Sequence, residues 1–335
     1  MGAGRLAGHP GRWSTRPTAA VRLATMPEPA DDKPGLWTTL VRYASLVRLS
    51  HTIFGLPFTL AAGVLAHRAS LHAGLGDGVG MTWLKLAWIV LAFTGARTTA
   101  MGFNRIVDRK IDAANPRTAS RELPAGQISL GAAWALTIVA AAVFVGAAAA
   151  LGTVALAFTP VCLLIICGYS LFKRFSWAAH LILGAALALG PAGAWVAVTG
   201  GLEGFLIPGV MMVAVGTWVA GFDVIYSLQD HEYDTQVGLH SIPVAFGVRG
   251  ALWVSGVLHL LTASALVALQ LLAGLGVAHL VGLIAVIAIL AYEHWIVRPH
   301  DLSRINKAFF DLNGWISIAY FVAMIVDVLV VPLLG

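Results

Sequence analysis

The chain has 335 residues, 59% of them hydrophobic and only 11% charged, with a mean hydropathy of +0.83. A soluble domain carries about 25% charged residues, so this composition excludes a disordered chain, a disulfide scaffold and an ordinary cytosolic enzyme. The net charge of +5 is spread in a way that signals membrane topology, not nucleic-acid binding. Cys162 and Cys167 lie inside one apolar run. Two cysteines are too few for a metal site and ill placed for a disulfide within one helix, so they read as packing residues.

Residues 1–35 set Arg5, Arg12, Arg16 and Arg22 among Gly, Pro, Ser and Thr, with no acid before Glu28. This stretch reads as a disordered basic tail near anionic lipid or, with Met26 as the start, as a segment that is not translated. A transit peptide is the third reading. Residues 36–335 form the membrane domain. A span needs about 20 mostly apolar residues. Nine runs qualify: 46–67, 82–104, 128–150, 153–172, 176–199, 205–228, 248–272, 277–297 and 312–334. No soluble domain fits between them.

All but Arg68, Lys85 and Arg97 of the 21 basic residues precede the first span, fall in the loops that follow spans 2, 4, 6 and 8, or sit, like Arg48 and Arg249, at the adjoining edge of a span. The loops after spans 3, 5 and 7 have none. The positive-inside rule therefore puts the N-terminus and the basic loops on the cytoplasmic side.

The acids cluster on that same side. Asp108, Asp112 and Glu122 follow span 2, and Asp223, Asp230, Glu232 and Asp234 sit at the end of span 6. At 100° per residue, Arg97, Asn104, Asp108 and Asp112 fall at about 0°, −20°, 20° and 60°, which is one helix face. Asp223, Asp230 and Asp234 fall at about 0°, −20° and 20° by the same rule. Two helices would thus each present a column of oxygen ligands. Ionisable groups in membrane segments are functional hypotheses by default. Clustered carboxylates stay ionised together when a cation lies between them, and hard oxygen ligands suit Mg²⁺, commonly held by carboxylates plus phosphate oxygens. Arg117, Arg121, Lys173 and Arg174 would supply the cationic half of a diphosphate site. The plain alternative is that these acids and bases pair with one another across the helix ends.

At this point the motifs resemble a known family. NRIVDRKID (Asn104–Asp112) resembles the first aspartate-rich motif of UbiA-type membrane prenyltransferases. NPRTASRELPAG (Asn115–Gly126) resembles the loop that follows it in members acting on 4-hydroxybenzoate. YSLQDHEYD (Tyr226–Asp234) with GLHSIPVAFG (Gly238–Gly247) is similar to the second motif, and HTIFGLPFTL (His51–Leu60) to the first span of a bacterial subgroup. The resemblance covers about residues 42–334. It implies an all-α bundle of about nine transmembrane helices around a central cytoplasm-facing cavity, in a bacterial inner membrane. It further implies Mg²⁺-dependent transfer of a polyprenyl chain from polyprenyl diphosphate to an aromatic acid, as in ubiquinone-type quinone biosynthesis. Asn104, Asp108, Asp112, Asp230 and Asp234 would hold Mg²⁺, and Arg121, Lys173 and Arg174 would contact the diphosphate. The family often has Asp where this chain has Arg105, which exchanges a carboxylate for a cation able to contact phosphate.

The expected acceptor is 4-hydroxybenzoate. The HTIF segment and Asn104-Arg105 lean towards a dihydroxynaphthoate of menaquinone (futalosine-type) synthesis. Arg97, buried on the motif face, calls for an anionic partner: either the acceptor carboxylate or an internal pair with Asp223. Arg48 and His51 near span 1 either reach the acceptor or act as a snorkelling arginine and a helix cap. Asp223, the deepest carboxylate on its face, is the expected base. A cation-coupled transporter is the reading of another class. It would place its acids near the midplane on broken helices, whereas these lie at span ends beside phosphate-type bases.

Overall fold

The computed structural model describes residues 35–48 and 52–334, and the expectations for residues 1–34 and His51 lie outside the described residues. The chain divides into two units, residues 1–39 and 40–335. Among the described residues the structure is helical, apart from one isolated bridge between Arg298 and Asp301. The helices are α1 (Leu36–Leu46), α2 (Thr52–Ala73), α3 (Trp83–Ala114), α4 (Leu130–Leu151), α5 (Thr153–Phe172), α6 (Ala179–Thr199), α7 (Leu206–Ser227), α8 (His231–Val237), α9 (Ile242–Leu272), α10 (Val277–Ile296), α11 (Asn313–Ile325) and α12 (Val331–Leu334).

Among the described residues eight helical stretches are long and apolar enough to cross a membrane, where about nine were expected. The first expected span, 46–67, corresponds to α2, which begins later and is 22 residues long. It carries His67, Arg68 and His72 in its last turns, which lowers its apolar character. The early start fails because α1 closes at Leu46 and Val47–Arg48 form a turn, with Arg48 left-handed at φ 49°. The large exposed side chains form an apolar outer belt that includes Leu164, Trp253, Leu260, Val281 and Ile284. A monomeric soluble protein does not expose apolar surface on this scale. The protein is therefore an integral, multi-pass membrane protein.

Local signals set the helix ends. Thr82 accepts from the Lys85 amide at the start of α3, and Ser129 from Ala132 at the start of α4, both at 3.2 Å. Gly152, at φ 134°, separates α4 from α5. Ser241 caps α9, with Pro243 in its first turn. Proline is tolerated there because that amide has no helical partner.

Helix α7 is the centre of the bundle and packs against α6, α9 and α2, while α2 also meets α11, and α3 lies against α4 and α5. Met211, Trp218, Val224 and Ile225 of α7 are fully buried. The backbones of α6 and α7 touch at Gly184, where an added Cβ would run into the Gly216 carbonyl. On the far side of α7 a polar network joins three helices. Trp218 Nε1 donates to Asn313 Oδ1 at 2.7 Å, and Asn313 donates to the Ala308 carbonyl at 3.0 Å and to Glu293 at 3.4 Å. Lys307–Leu312 wind as a π-helical turn just before α11. This turn places Phe309 on Tyr226, with ring centroids 4.0 Å apart.

Because overpacking against backbone cannot relax through a rotamer change, Gly184→Ala should destabilise the bundle by about 1–3 kcal/mol. Gly146→Ala, where a Cβ meets nothing within 4 Å, is the matched control. Thermal unfolding in detergent should show a lowered midpoint for the first and an unchanged one for the second.

Candidate active site

Helix α3 runs unbroken to Ala114, so its motif residues keep their helical spacing and share a face. Helix α7 does not. It gives way to a single 3₁₀ turn at Leu228–Asp230 before α8 resumes. A 3₁₀ turn advances 120° per residue instead of 100°, so the even column expected for Asp223, Asp230 and Asp234 is interrupted. The turn still leaves all three on the wall of one chamber. That chamber, of about 270 Å³, is also lined by Asn104, Asp108 and Asp112 from α3 and by Arg117, Arg121 and Lys173. Arg48, Arg97 and Arg105 reach its wall as well. Arg174 borders it through Asp108. His51 lies outside the described residues.

Each inner acid meets a base from elsewhere in the chain. Asp108, 2% exposed, takes Lys173 Nζ at 2.6 Å and Arg174 Nη2 at 3.0 Å. Asn104 Nδ2 donates to Asp108 at 3.1 Å and to Ser170 at 3.3 Å. Arg121 Nη1 lies 2.7 Å from Asp112 Oδ1. Asp230 receives Arg117 through two guanidinium nitrogens, one of them at 2.7 Å, and Asn115 Nδ2 at 3.0 Å. Arg117 also donates to the Tyr226 hydroxyl at 3.3 Å and lies over that ring. Partial burial alone would make the Arg117 cation less favourable. The Asp230 hydrogen bond and charge outweigh this and raise its pKa above the ordinary arginine value.

Acid–base pairing across the helix ends is thus part of the arrangement. Among the described residues no group of three His, Cys, Asp or Glu forms a ready-made metal cage. The donors nevertheless suit a hard cation. Asp112 Oδ2 is buried with no hydrogen-bond partner, and Arg105 Nη1 stands 3.8 Å from it. Asp234 lines the same wall. One or two carboxylates per ion, completed by phosphate oxygens, is the usual Mg²⁺ arrangement.

Arg105 is buried and donates from Nε to the Leu46 carbonyl at 3.2 Å. It therefore ties the end of α1 to α3 beside Asp112. The internal pair of Arg97 with Asp223, one of the two alternatives for Arg97, does not form. Asp223 instead takes His180 Nδ1 at 2.7 Å, and Arg97 has no carboxylate within 4.0 Å among the described residues. His180, Asn115, Tyr226 and Tyr233, whose hydroxyl donates to the Ile111 carbonyl at 3.1 Å, were not singled out from the sequence. Asn115 sits in a quoted motif. His180 stands alone in an apolar run and gives no local signal.

A second, apolar cavity of about 330 Å³ adjoins the chamber. Phe93, Phe144, Phe158, Ala186 and Gly190 are in its lining. The two spaces share Arg97, Tyr169, Leu183 and Leu187 in their walls. The polar chamber and the apolar cavity therefore meet at one shared wall.

Comparison with known proteins places this arrangement. The chain is 30% identical over 314 residues to 4-hydroxybenzoate octaprenyltransferase of Saccharophagus degradans, covering 93% of this chain and 99% of the relative. It is 30% identical over 257 residues to the enzyme of that name from Pseudomonas fluorescens, covering 72% and 82%. The apo structure of a UbiA homolog from Aeropyrum pernix K1 superposes with a TM-score of 0.74 at 33% identity, covering 83% of this chain and 98% of that one. A UbiA homolog from Archaeoglobus fulgidus, solved bound to GPP and Mg²⁺, has the same fold, with a TM-score of 0.61 at 20% identity over 84% and 99% of the two chains. With the UbiA prenyltransferase family model matching residues 55–315, the chain belongs to that family.

Proposed function

We propose that the chain is an intramembrane aromatic prenyltransferase. It moves a polyprenyl chain from polyprenyl diphosphate to an aromatic acid, 4-hydroxybenzoate by likeness to its relatives, and releases diphosphate. The observation that carries this reading is the meeting of two unlike spaces: a chamber of paired acids and bases that shares a wall with an apolar cavity. The first suits a diphosphate with its counterions, and the second suits an isoprenoid tail.

In this reading Asn104, Asp108 and Asp112 would hold one Mg²⁺, and Asp230 and Asp234 would hold another. The orphaned Asp112 oxygen supports the assignment. When bound, the metal neutralises charge on the departing diphosphate. Arg117, Arg121, Lys173 and Arg174 grip the diphosphate oxygens and stabilise the same charge. The allylic C–O bond breaks with its electron pair left on the diphosphate, a ring carbon of the acceptor attacks the allylic carbon, and a proton is lost. Phe54, Phe222 and Phe309, packed edge-to-face at 5.3–5.9 Å, line the chamber and exclude water that would otherwise capture the cation. Arg97, at the junction and free of any internal carboxylate, binds the acceptor's acid group, with Arg48 also on the chamber wall. The two octaprenyltransferases named above come from bacteria, and the basic loops lie at the chamber end. We therefore place the protein in a bacterial inner membrane with the site facing the cytoplasm.

The test is turnover by detergent-purified protein with Mg²⁺, a polyprenyl diphosphate, and 4-hydroxybenzoate or a dihydroxynaphthoate in parallel. Product from the benzoate supports the reading, whereas product from the naphthoate alone moves the protein to the menaquinone route. Asp108→Ala and Asp230→Ala should each lower kcat at least ~10²-fold, and chelation should abolish turnover until Mg²⁺ is restored. A wild-type rate in either variant would remove that residue from the metal site.

Tail placement has its own measurement. A Cβ at Gly193 meets nothing within 4 Å, and the residue lines the apolar cavity. Gly193→Leu should fill that space without a clash. It should lower kcat/KM for long-chain donors about tenfold relative to geranyl diphosphate, in line with the ~1–3 kcal/mol worth of pocket volume.

A further inference from the structure

Asp223 and His180 form a pair that the diphosphate chemistry does not use. His180 lies in the first turn of α6 and is 6% exposed. Its Nδ1 is 2.7 Å from Asp223 Oδ2, and its Nε2 is buried with no hydrogen-bond partner. A carboxylate can only accept, so the ring proton sits on Nδ1. The neutral ring then keeps a lone pair on Nε2. Both residues line the chamber.

A second orphan lies in the same wall. Arg97 Nε is buried without a partner, at the junction of chamber and cavity. The two unmet needs are opposite. Nε2 of His180 lacks a donor, and Arg97 lacks an acceptor. A buried polar atom left unsatisfied is costly unless a ligand completes it. An aromatic acid bearing a phenol supplies both partners, a hydroxyl for His180 and a carboxylate for Arg97.

We propose that His180 is the general base of the reaction, with Asp223 orienting it. This inference rests on the function proposed above. It moves the role of base from Asp223, where the sequence put it, to its partner. Nε2 takes the phenolic proton as the adjacent ring carbon bonds to the allylic carbon, while the C–O electron pair leaves on diphosphate. The dienone so formed moves its hydrogen from the alkylated carbon to oxygen and regains aromaticity. One proton thus rests on His180, and it departs with the released diphosphate.

The experiment measures steady-state transfer to 4-hydroxybenzoate by the full chain in detergent with Mg²⁺ and geranyl diphosphate. General-base removal costs about 10²–10⁴-fold. His180→Ala and His180→Gln should therefore both lose at least 10²-fold in kcat, with KM for geranyl diphosphate unchanged. Added imidazole should restore part of the alanine variant's rate. Asp223→Asn should fall less than either. Glutamine keeps a donor towards Asp223 but cannot act as a base, so a purely structural role would leave His180→Gln near the wild-type rate. That result, or a rise in KM with no imidazole rescue, overturns the inference while leaving the proposed function intact if the wild-type enzyme turns over. If the wild-type enzyme prenylates no aromatic acid, the proposed function and this inference fall together.

Discussion

Charge inside a low-dielectric bundle must be neutralised where it stands, and this constraint shapes the site. Asp108, Asp112 and Arg105 are at most 5% exposed. Removing one partner of such a pair costs ~3–5 kcal/mol, because the other charge is left bare. Each inner acid therefore takes a base from a different part of the chain: Asp108 from the end of α5, and Asp112 and Asp230 from the segment after α3. These pairs also hold that segment across the chamber. They further explain how a highly charged substrate can enter. In the proposed function a diphosphate with divalent cations would bring both signs, so the bases could turn to phosphate oxygens and the acids to metal. Charges exchange partners, and little new charge has to be buried.

The parts of this structure legible in the sequence are those that the bilayer or an unbroken helix dictates. Spans are legible because lipid leaves no alternative to long apolar helices. The shared face of Asn104, Asp108 and Asp112 is legible because α3 continues past them to Ala114. The second acid column was read from the wrong geometry, since the 3₁₀ turn at Leu228–Asp230 rotates the chain more per residue than the reading allowed. Its residues still line the chamber, because the turn redirects the helix end without removing it from the cavity wall. Hydropathy also missed the start of α2. Val47 is apolar and buried, so averaging over a window runs through the turn at Val47–Arg48.

What sequence could not supply was partnership across long separations. Arg117 and Asp230 are 113 residues apart, and His180 and Asp223 are 43 apart. Topology alone calls for Lys and Arg in these loops, so their presence does not say which acid each will meet. His180 is harder still, because a lone histidine in an apolar run looks like an ordinary core residue. Arg105 is the opposite case. It was conspicuous as a departure from the family motif. The structure gives it a mechanical task, since Nε holds the Leu46 carbonyl while the guanidinium stands beside Asp112. A cation there adds to the neutralisation of Asp112 that Arg121 begins.

The boundary between the two spaces fixes the register of the proposed donor. The isoprenoid tail is apolar and has no hydrogen bonds to offer, so of the two spaces it suits the apolar cavity and not the chamber, where it would leave buried polar groups unsatisfied. The diphosphate cannot follow, because an unpaired anion there would face prohibitive desolvation. The bond to be broken joins these two parts, so it must lie where Arg97, Tyr169, Leu183 and Leu187 divide the chamber from the cavity. Arg97 stands on that line, and His180 and Asp223 line the polar side of it. In the proposed function a polarity gradient built from ordinary side chains would thus place the reacting carbon, and an acceptor anchored by its carboxylate at Arg97 would hold its ring beside that carbon.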